Sequence, residues 1–309
     1  MRADKPTFKH RLEFAGLYLV FLMGRIFPRR AFIGLGTFVG RFCFDVLGVR
    51  KQVTLSNLRR VFGEELDEAQ IVALGRRSYE SLGRSLLEFC SFWNMDEDEI
   101  RSLVRHDGLE HLEAAFAGGR GCILVTGHYG SWELCGTALR VAGYRISFLV
   151  KDMKNPLVAR LQDELRDRAG VGYIKDGPVV ARGVLRALNK GEIVGILPDQ
   201  DARRHGVFVD FLGHPASTYK GPAFFSYRAN VPIVTVFIRR LEDGTHESVV
   251  QEPIRPDPSR PEAEEIHRLT QAYTDRMNDW IRKYPEEYFW VHRRWKTGPP
   301  ADAAASATA

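Results

Sequence analysis

One short segment, T-G-H-Y-G-S-W-E, places a histidine and a glutamate where they can perform acid–base chemistry. His128 stands between two glycines at the end of an apolar run, and Glu133 follows five residues later. Five residues of a regular helix turn a pair by about 140°. The two side chains therefore meet only if His128 lies in a turn and Glu133 in the first turn of the next helix. Gly127 and Gly130 permit such a turn, and the helix dipole favours a carboxylate there.

A neutral imidazole supported by a carboxylate is a general base. It removes the proton from an acceptor hydroxyl, while a carboxylate on its other nitrogen fixes the tautomer and stabilises the imidazolium. We predict His128 as the catalytic base and Glu133 as the residue that orients it, with the activated oxygen attacking an acyl carbonyl directly. A structural hydrogen-bonded pair is the alternative. Ser131 does not indicate a serine hydrolase, because the G-x-S-x-G elbow is absent.

The elements around this segment predict an α/β fold with a largely parallel central sheet flanked by helices and a helical, hydrophobic N-terminal region. Apolar runs such as G-C-I-L-V-T and E-I-V-G-I-L-P are typical of strands buried on both faces. Segments whose apolar residues recur at helical spacing lie between these runs. This alternation of strands and helices indicates a parallel sheet. Residues 8 to about 117 are predicted to be mostly helical. Later helices are predicted at about Pro156–Ala169, Val180–Asn189 and Glu262–Lys283.

A second polar group, Asp199, Gln200 and Asp201, directly follows a predicted strand. Functional sites gather beyond the carboxyl ends of parallel strands, so we expect this group to brace the histidine turn. A magnesium site is the alternative, since D-x-D can hold a hard cation, but direct acyl transfer needs no metal and we predict none. Gly213 and Thr218 are candidates to line the substrate path, with turn formation as the alternative.

The composition is that of a folded protein, with 44% hydrophobic and 27% charged residues, and the formal charge is +5. A basic excess suits an anionic partner such as a membrane surface. No nucleic-acid-binding module is present, so we predict no nucleic-acid partner. The four cysteines lie in apolar surroundings and are predicted to be buried, reduced thiols.

Residues 1–50 contain two apolar runs, Phe14–Gly24 and Ala31–Val49, flanked by basic residues. Neither run reaches the ~18 uncharged residues of a spanning helix, and no signal-peptide cleavage site follows the first. We predict uncleaved helices associated with the membrane surface; a pair of buried core helices is the alternative. Residues 51–298 are predicted to form the catalytic domain, and residues 299–309 a disordered tail.

G-H-Y-G-S-W-E resembles the histidine–four residues–acid block of glycerolipid acyltransferases, in the form found in the bacterial lipid A biosynthesis acyltransferases. Five further blocks resemble segments of that family in the same order, so the resemblance covers residues 10 to 298. They are Lys51–Gly63, Lys151–Pro156, Gly191–Asp201, Val207–Thr218 and Glu286–Thr297.

The resemblance implies an O-acyltransferase without a cofactor, at the cytoplasmic face of the bacterial inner membrane. The donor would be an acyl carrier protein thioester and the acceptor a lipid A precursor. Coenzyme A as the carrier, another glycolipid or a lysophospholipid as the acceptor, and a lipid or thioester hydrolase remain alternatives. Lys151, a candidate substrate-binding residue, stands where the family usually has arginine; lysine keeps the positive charge but lacks the bidentate fork for phosphate.

The basic residues Arg293 and Arg294 are candidates for binding phosphates of the acceptor or an acidic carrier protein. Trp290 and Trp295 beside them would suit a membrane interface. The alternative is a solvated basic surface with core tryptophans.

Overall fold

The computed structural model describes residues 6–92, 95–151, 153–177 and 179–299. Apart from residue 299, the predicted disordered tail lies outside these ranges. The helices are α1 Phe8–Ile26, α2 Arg29–Asp45, α3 Lys51–Phe62, α4 Glu68–Ser91, α5 Glu97–Leu103, α6 Leu109–Phe116, α7 Trp132–Val141, α8 Pro156–Ala169, α9 Val180–Asn189, α10 Gly221–Ala229 and α11 Glu262–Lys283.

The strands are β1 Val104–Asp107, β2 Ile123–Val125, β3 Ile146–Val150, β4 Gly172–Lys175, β5 Ile193–Ile196, β6 Val207–Phe211, β7 His214–Thr218, β8 Ile233–Arg240 and β9 His246–Val250. Among the described residues, seven of them form one sheet in the order β1-β9-β8-β2-β5-β3-β4. Strands β8, β2, β5, β3 and β4 run parallel, and β9 and β1 run the other way. The α/β prediction is confirmed.

The pairing of β2 with β5 decides which side chains meet beyond the sheet. Val125 is in register with Ile196. His128 lies three residues past Val125, and Asp199 lies three residues past Ile196. Residues that follow two paired parallel strands by the same number of positions lie at the same height above the sheet. The fold therefore brings His128 and Asp199 together.

The three later helices begin and end at the predicted residues, and Asp67 caps α4 by accepting a hydrogen bond from the backbone N–H of Gln70. The expectation that residues 8 to 117 are mostly helical missed β1, which forms the edge of the sheet. Strands β4 and β9 and the antiparallel hairpin β6–β7 were not predicted either. These strands are four or five residues long and only partly buried, so they lack the continuous apolar runs that identify β2 and β5.

The N-terminal region is helical, and α2 packs closely against α4. A Cβ atom on Gly40 would lie 2.1 Å from the carbonyl oxygen of Tyr79, and one on Gly83 would lie 2.1 Å from the carbonyl oxygen of Gly36. Only glycine permits this approach of the two backbones. Within the described ranges, no helix combines the length and apolarity needed to cross a bilayer.

Cys90, Cys122 and Cys135 are buried free thiols, as predicted, and Cys43 is half-buried. Burial raises the pKa of each buried thiol to about 12. These cysteines are therefore protonated, unreactive members of the core.

A buried carboxylate ties the α2–α4 pair to the sheet. Glu88 on α4 is fully buried, and Arg29 and Arg240 both donate hydrogen bonds to it. The Nε2 atom of His246 lies 3.1 Å from Glu88 Oε2. Burial would raise the pKa of Glu88, but His246 and Arg240 hold that pKa well below its usual value. Glu88 is therefore ionised and neutralises the cations around it.

Replacing Glu88 with glutamine is expected to lower the free energy of unfolding by about 3–5 kcal/mol, because it leaves buried cations without a counter-charge. Urea denaturation of the purified variant measures the change. The control is Glu68→Gln on the same helix, which breaks an exposed pair with Arg59 and should cost less than ~1 kcal/mol. Equal losses for the two variants would contradict the assignment.

Candidate active site

His128 lies in the turn between β2 and α7, and its geometry depends on close backbone contacts. Gly130 has φ +55°, and a Cβ atom there would lie 2.1 Å from the carbonyl oxygen of Ile238. At Gly127 a Cβ would lie 3.3 Å from Asp199 Oδ2, a tight contact that would press on the carboxylate. The predicted turn between two glycines is therefore present, and it sets the imidazole beyond the carboxyl end of β2.

The carboxylate that holds His128 belongs to Asp199. Asp199 Oδ1 lies 2.8 Å from His128 Nδ1, and Asp199 Oδ2 accepts a hydrogen bond of 2.8 Å from the His128 backbone N–H. We predicted that Glu133 orients the ring, and the structure corrects this. The reason is the strand register, which puts Asp199 level with His128, whereas Glu133 lies on the first turn of α7 and lines the cavities beside it.

The electrostatics of the pair favour the ionised carboxylate. Burial lowers the pKa of His128, but the charge and hydrogen bond of Asp199 outweigh it, so the pKa lies above its ordinary value. Burial would raise the pKa of Asp199, but interaction with His128 holds it below the usual range. Glu133 differs, because burial raises its pKa while Arg166 only partly offsets that effect. With Nδ1 occupied by Asp199, Nε2 is the nitrogen left for a substrate.

The C-terminal segment fastens the histidine turn to the rest of the molecule. The backbone N–H of Phe289 donates to the His128 carbonyl oxygen at 3.1 Å, and Gly130 donates to the Glu287 carbonyl oxygen at 2.9 Å. Asn57 on α3 donates to the carbonyl oxygens of Trp290 and His292 at 2.8 and 2.7 Å. Three sequence blocks that are far apart along the chain therefore form one support for His128.

A cleft of about 420 Å³ opens in front of His128. The ends of β3 and β5 and the start of α10 form its walls, so it lies beyond the carboxyl edge of the parallel sheet, as expected. The lining side chains include His128, Trp132, Glu133, Leu149, Lys151, Met153, Arg166, Ile196, Leu197, Gln200 and Tyr219.

A second cavity of about 320 Å³ shares Glu133, Phe148 and Arg166 with the cleft. It runs between α5, α7 and α8, and its wall is mixed, because the charged residues Asp96, Glu97, Arg140 and Arg168 line it beside apolar side chains. The remaining apolar lining residues are Phe89, Phe92, Met95, Ile100, Leu165, Ala169 and Val171. The shared residues make the two spaces neighbours, so an extended apolar group seated here can present one end to His128.

The predicted polar group after β5 does brace the histidine turn. Besides the contacts of Asp199, Gln200 Nε2 lies 3.5 Å from His128 Nε2. The Asp201 backbone N–H donates to His292 Nε2 at 3.0 Å, and Thr297 Oγ1 donates to Asp201 Oδ2. In the described part of the chain, no three His, Cys, Asp or Glu side chains are grouped as a metal site requires.

The other predicted site residues fall into two groups. Lys151 is exposed on the wall of the cleft. Gly213, Thr218, Arg293 and Arg294 do not line this cleft.

Arg294 is 1% exposed, and it donates to the Ser217 carbonyl oxygen and to Thr218 Oγ1. The substrate-binding prediction for both residues is corrected, because both side chains are buried and the two terminal nitrogens of the guanidinium already bond to β7. Gly213 forms the turn of the β6–β7 hairpin with φ +85°, which is the turn-forming alternative. Arg293 lines a separate cavity near α3 rather than the His128 cleft. Trp290 is a core residue and does not lie at a surface.

Three residues of the site were not predicted. The rings of Trp132 and Phe289 lie 5.3 and 5.6 Å from the His128 ring, so both pack against the imidazole. Arg166 on α8 contributes a positive charge to both cavities. Trp132 lies inside the histidine segment, so its position in the sequence could have indicated that it belongs to the site. Phe289 and Arg166 come from distant segments, and no spacing along the chain indicates them.

The fold and site define an α/β protein with a mostly parallel sheet and a histidine–aspartate pair at its carboxyl edge, where an imidazole open to a cleft can exchange a proton with a bound group. The chain belongs to the bacterial lipid A biosynthesis acyltransferase family, whose model matches residues 3–297.

Curated relatives agree with that membership. The chain is 27% identical to the lipid A biosynthesis lauroyltransferase of Escherichia coli strain K12 over 294 residues, which are 94% of this chain and 93% of the relative. It is also 27% identical to the lipid A biosynthesis palmitoleoyltransferase of the same strain, over 96% of this chain and 94% of the relative. A phosphatidylinositol mannoside acyltransferase of Mycobacterium tuberculosis (strain CDC 1551 / Oshkosh) is 26% identical over 71% of this chain and 69% of the relative.

Proposed function

We propose that this acyltransferase moves a fatty acyl group from an acyl carrier protein thioester to a hydroxyl of a lipid A precursor, with His128 as general base and Asp199 as the residue that orients it. The observation that carries the proposal is the His128–Asp199 pair at the mouth of an apolar cleft. The lipid A acceptor is supported by the family and by relatives that match almost the whole chain, and the carrier-protein donor is the one that the family resemblance implies.

The chemistry uses only groups of this site. His128 Nε2 takes the proton of the acceptor hydroxyl, and the oxygen attacks the carbonyl carbon of the thioester. The C–O bond forms, the C–S bond breaks, and the departing thiolate receives the proton from the imidazolium. Asp199 holds Nδ1–H throughout and stabilises the transient positive charge. Lys151 and Arg166 supply positive charge for phosphate groups of donor or acceptor.

We place the protein at the cytoplasmic face of the inner membrane, as the family resemblance implies, and the apolar surface of α1 and α2 supports contact with a membrane. Large hydrophobic side chains stand exposed along both helices, and exposed patches of this kind mark contact with membranes or partners. A helix pair that lies in the interface needs no membrane-spanning length. The exposed residues are Phe8, Leu12, Tyr18, Leu19, Ile26, Leu35, Phe38, Val39 and Phe42.

We assign the acyl chain to the second cavity, and this leads to a test of chain length. Ala169 lies one turn of α8 beyond Arg166, and it lines the second cavity but not the His128 cleft. Ala169→Phe should fill part of that cavity and shift the preferred acyl chain to a shorter one, with short-chain activity reduced less than about tenfold. Competition between acyl donors of different length measures the shift. Ala169→Ser keeps the volume and should leave the preference unchanged, and an unchanged preference in Ala169→Phe would place the chain elsewhere.

The proposed reaction is tested with purified protein, acyl carrier protein thioesters and a lipid A precursor, by following ester product and free thiol together. Equal amounts of both support the transferase. Rapid thiol release without acceptor, and no ester with it, would instead assign a thioester hydrolase. Mass spectrometry of membrane lipids with and without the gene tests the acceptor. An unchanged lipid A with a changed glycolipid would favour the activity named for the mannoside relative.

A further inference from the structure

A cavity of about 670 Å³ outside the catalytic cleft is lined by four arginines, Arg29, Arg30, Arg84 and Arg240. It lies between α2, α4 and the turn that joins β8 to β9. Carboxylates also lie near this cavity. Glu88 lies behind the cavity and is shared by Arg29 and Arg240, and the exposed Glu242 and Asp243 stand at its rim.

Arg84 is the residue that makes this cavity unusual. It is half-buried, and it forms no hydrogen bond and no ion pair within the described ranges. Its charge is repelled by Arg240 and attracted only at longer range by Glu287, Glu80 and Glu88. A half-buried guanidinium without a partner is costly. An anion in the cavity would remove that cost, and phosphate oxygens match the guanidinium fork.

The exposed apolar residues indicate the source of such an anion. Ile26 and Phe27 are 77% and 51% exposed, and only Pro28 separates them from the two arginines that start α2. Phe38, 64% exposed, lies one turn of α2 beyond Gly34, which lines the cavity. An apolar surface that borders a basic cavity matches the boundary between acyl chains and phosphates in a bilayer.

We propose that this cavity binds the phosphate of an anionic membrane lipid and so fixes the depth and orientation of α1 and α2 on the bilayer. The inference rests on the proposed membrane association and is independent of the acyl-transfer chemistry. Arg240 ends β8, which runs parallel to β2, so the bound phosphate and the His128 cleft would lie at the same edge of the sheet. The anchor would then hold that edge towards the membrane that contains the lipid acceptor.

Flotation of the full-length protein with vesicles tests the site. The vesicles are phosphatidylcholine alone, or equal parts of phosphatidylcholine and phosphatidylglycerol. Arg84→Gln and Arg30→Gln should each weaken binding to the mixed vesicles by about fivefold or more, with binding to phosphatidylcholine unchanged. Arg30 is exposed, so its variant keeps the test valid if Arg84→Gln folds poorly. The control is Arg186→Gln. It removes the same charge from α9, which packs against β4 and β5, and it should change binding less than twofold.

Two outcomes would overturn the proposal. If all three variants lose binding equally, general surface charge and not this cavity attracts the membrane. If inorganic phosphate raises the unfolding temperature of the wild type but not of Arg84→Gln, while vesicle binding is the same for both, the cavity takes a soluble phosphate. Transfer to a detergent-solubilised acceptor should be unchanged in Arg84→Gln, so a failure here is distinguishable from a failure of the acyltransferase proposal.

Discussion

Replacing His128 with alanine is expected to lower kcat/KM for acyl transfer by about 100-fold or more, the scale of a positioned general base. The reason is that His128 is the one imidazole among the described lining residues of the cleft, and a carboxylate holds its Nδ1 atom. Initial rates with an acyl carrier protein thioester and a lipid acceptor measure the loss.

The matched control is His267→Ala on the exposed side of α11, which should change the rate less than twofold. Urea denaturation of both variants separates a catalytic loss from unfolding. If folded His128→Ala protein retained full activity, the base would be another residue, and a protein that only binds membranes would become the better interpretation.

Asp199→Asn is expected to lower kcat by about 100-fold to 10,000-fold, because an asparagine neither fixes the tautomer of His128 nor stabilises the imidazolium. Glu133→Gln leaves the Asp199–His128 hydrogen bond intact and should cost much less. The pair of variants therefore tells which carboxylate supports the base. A large loss in Glu133→Gln together with a small loss in Asp199→Asn would restore the assignment of Glu133 as the orienting residue.

The pH profile gives an independent reading of the same pair. A general base works only when neutral, so kcat/KM should fall as pH drops through the pKa of His128, which lies above its ordinary value. In Asp199→Asn the carboxylate that raises this pKa is gone. The acid limb of the residual activity should therefore move to lower pH. A limb that stays in place would show that Asp199 does not act on the imidazole.

Much of this protein follows from sequence patterns that local physics determines. Continuous apolar runs identified β2 and β5, because a strand buried on both faces is apolar throughout. Helical spacing gave the bounds of α8, α9 and α11, because a helix buried on one face repeats its apolar residues every three or four positions. The same patterns placed His128 in a glycine-flanked turn at a strand end. Short, half-buried strands such as β1 and β9 were missed, because neighbours supplied by the fold stabilise them and not a pattern of their own.

The sequence by itself determined the longer elements, the family and the histidine that we propose as the base. Only the tertiary structure decided its partner. Glu133 is five residues away along the chain, and Asp199 is 71 residues away, yet Asp199 holds the ring because β2 and β5 pair in register. In the same way, Arg294 looked like a surface cation until the fold buried it beneath β7. Pairing between distant strands depends on the packing of the whole sheet, and spacing along one chain does not encode it.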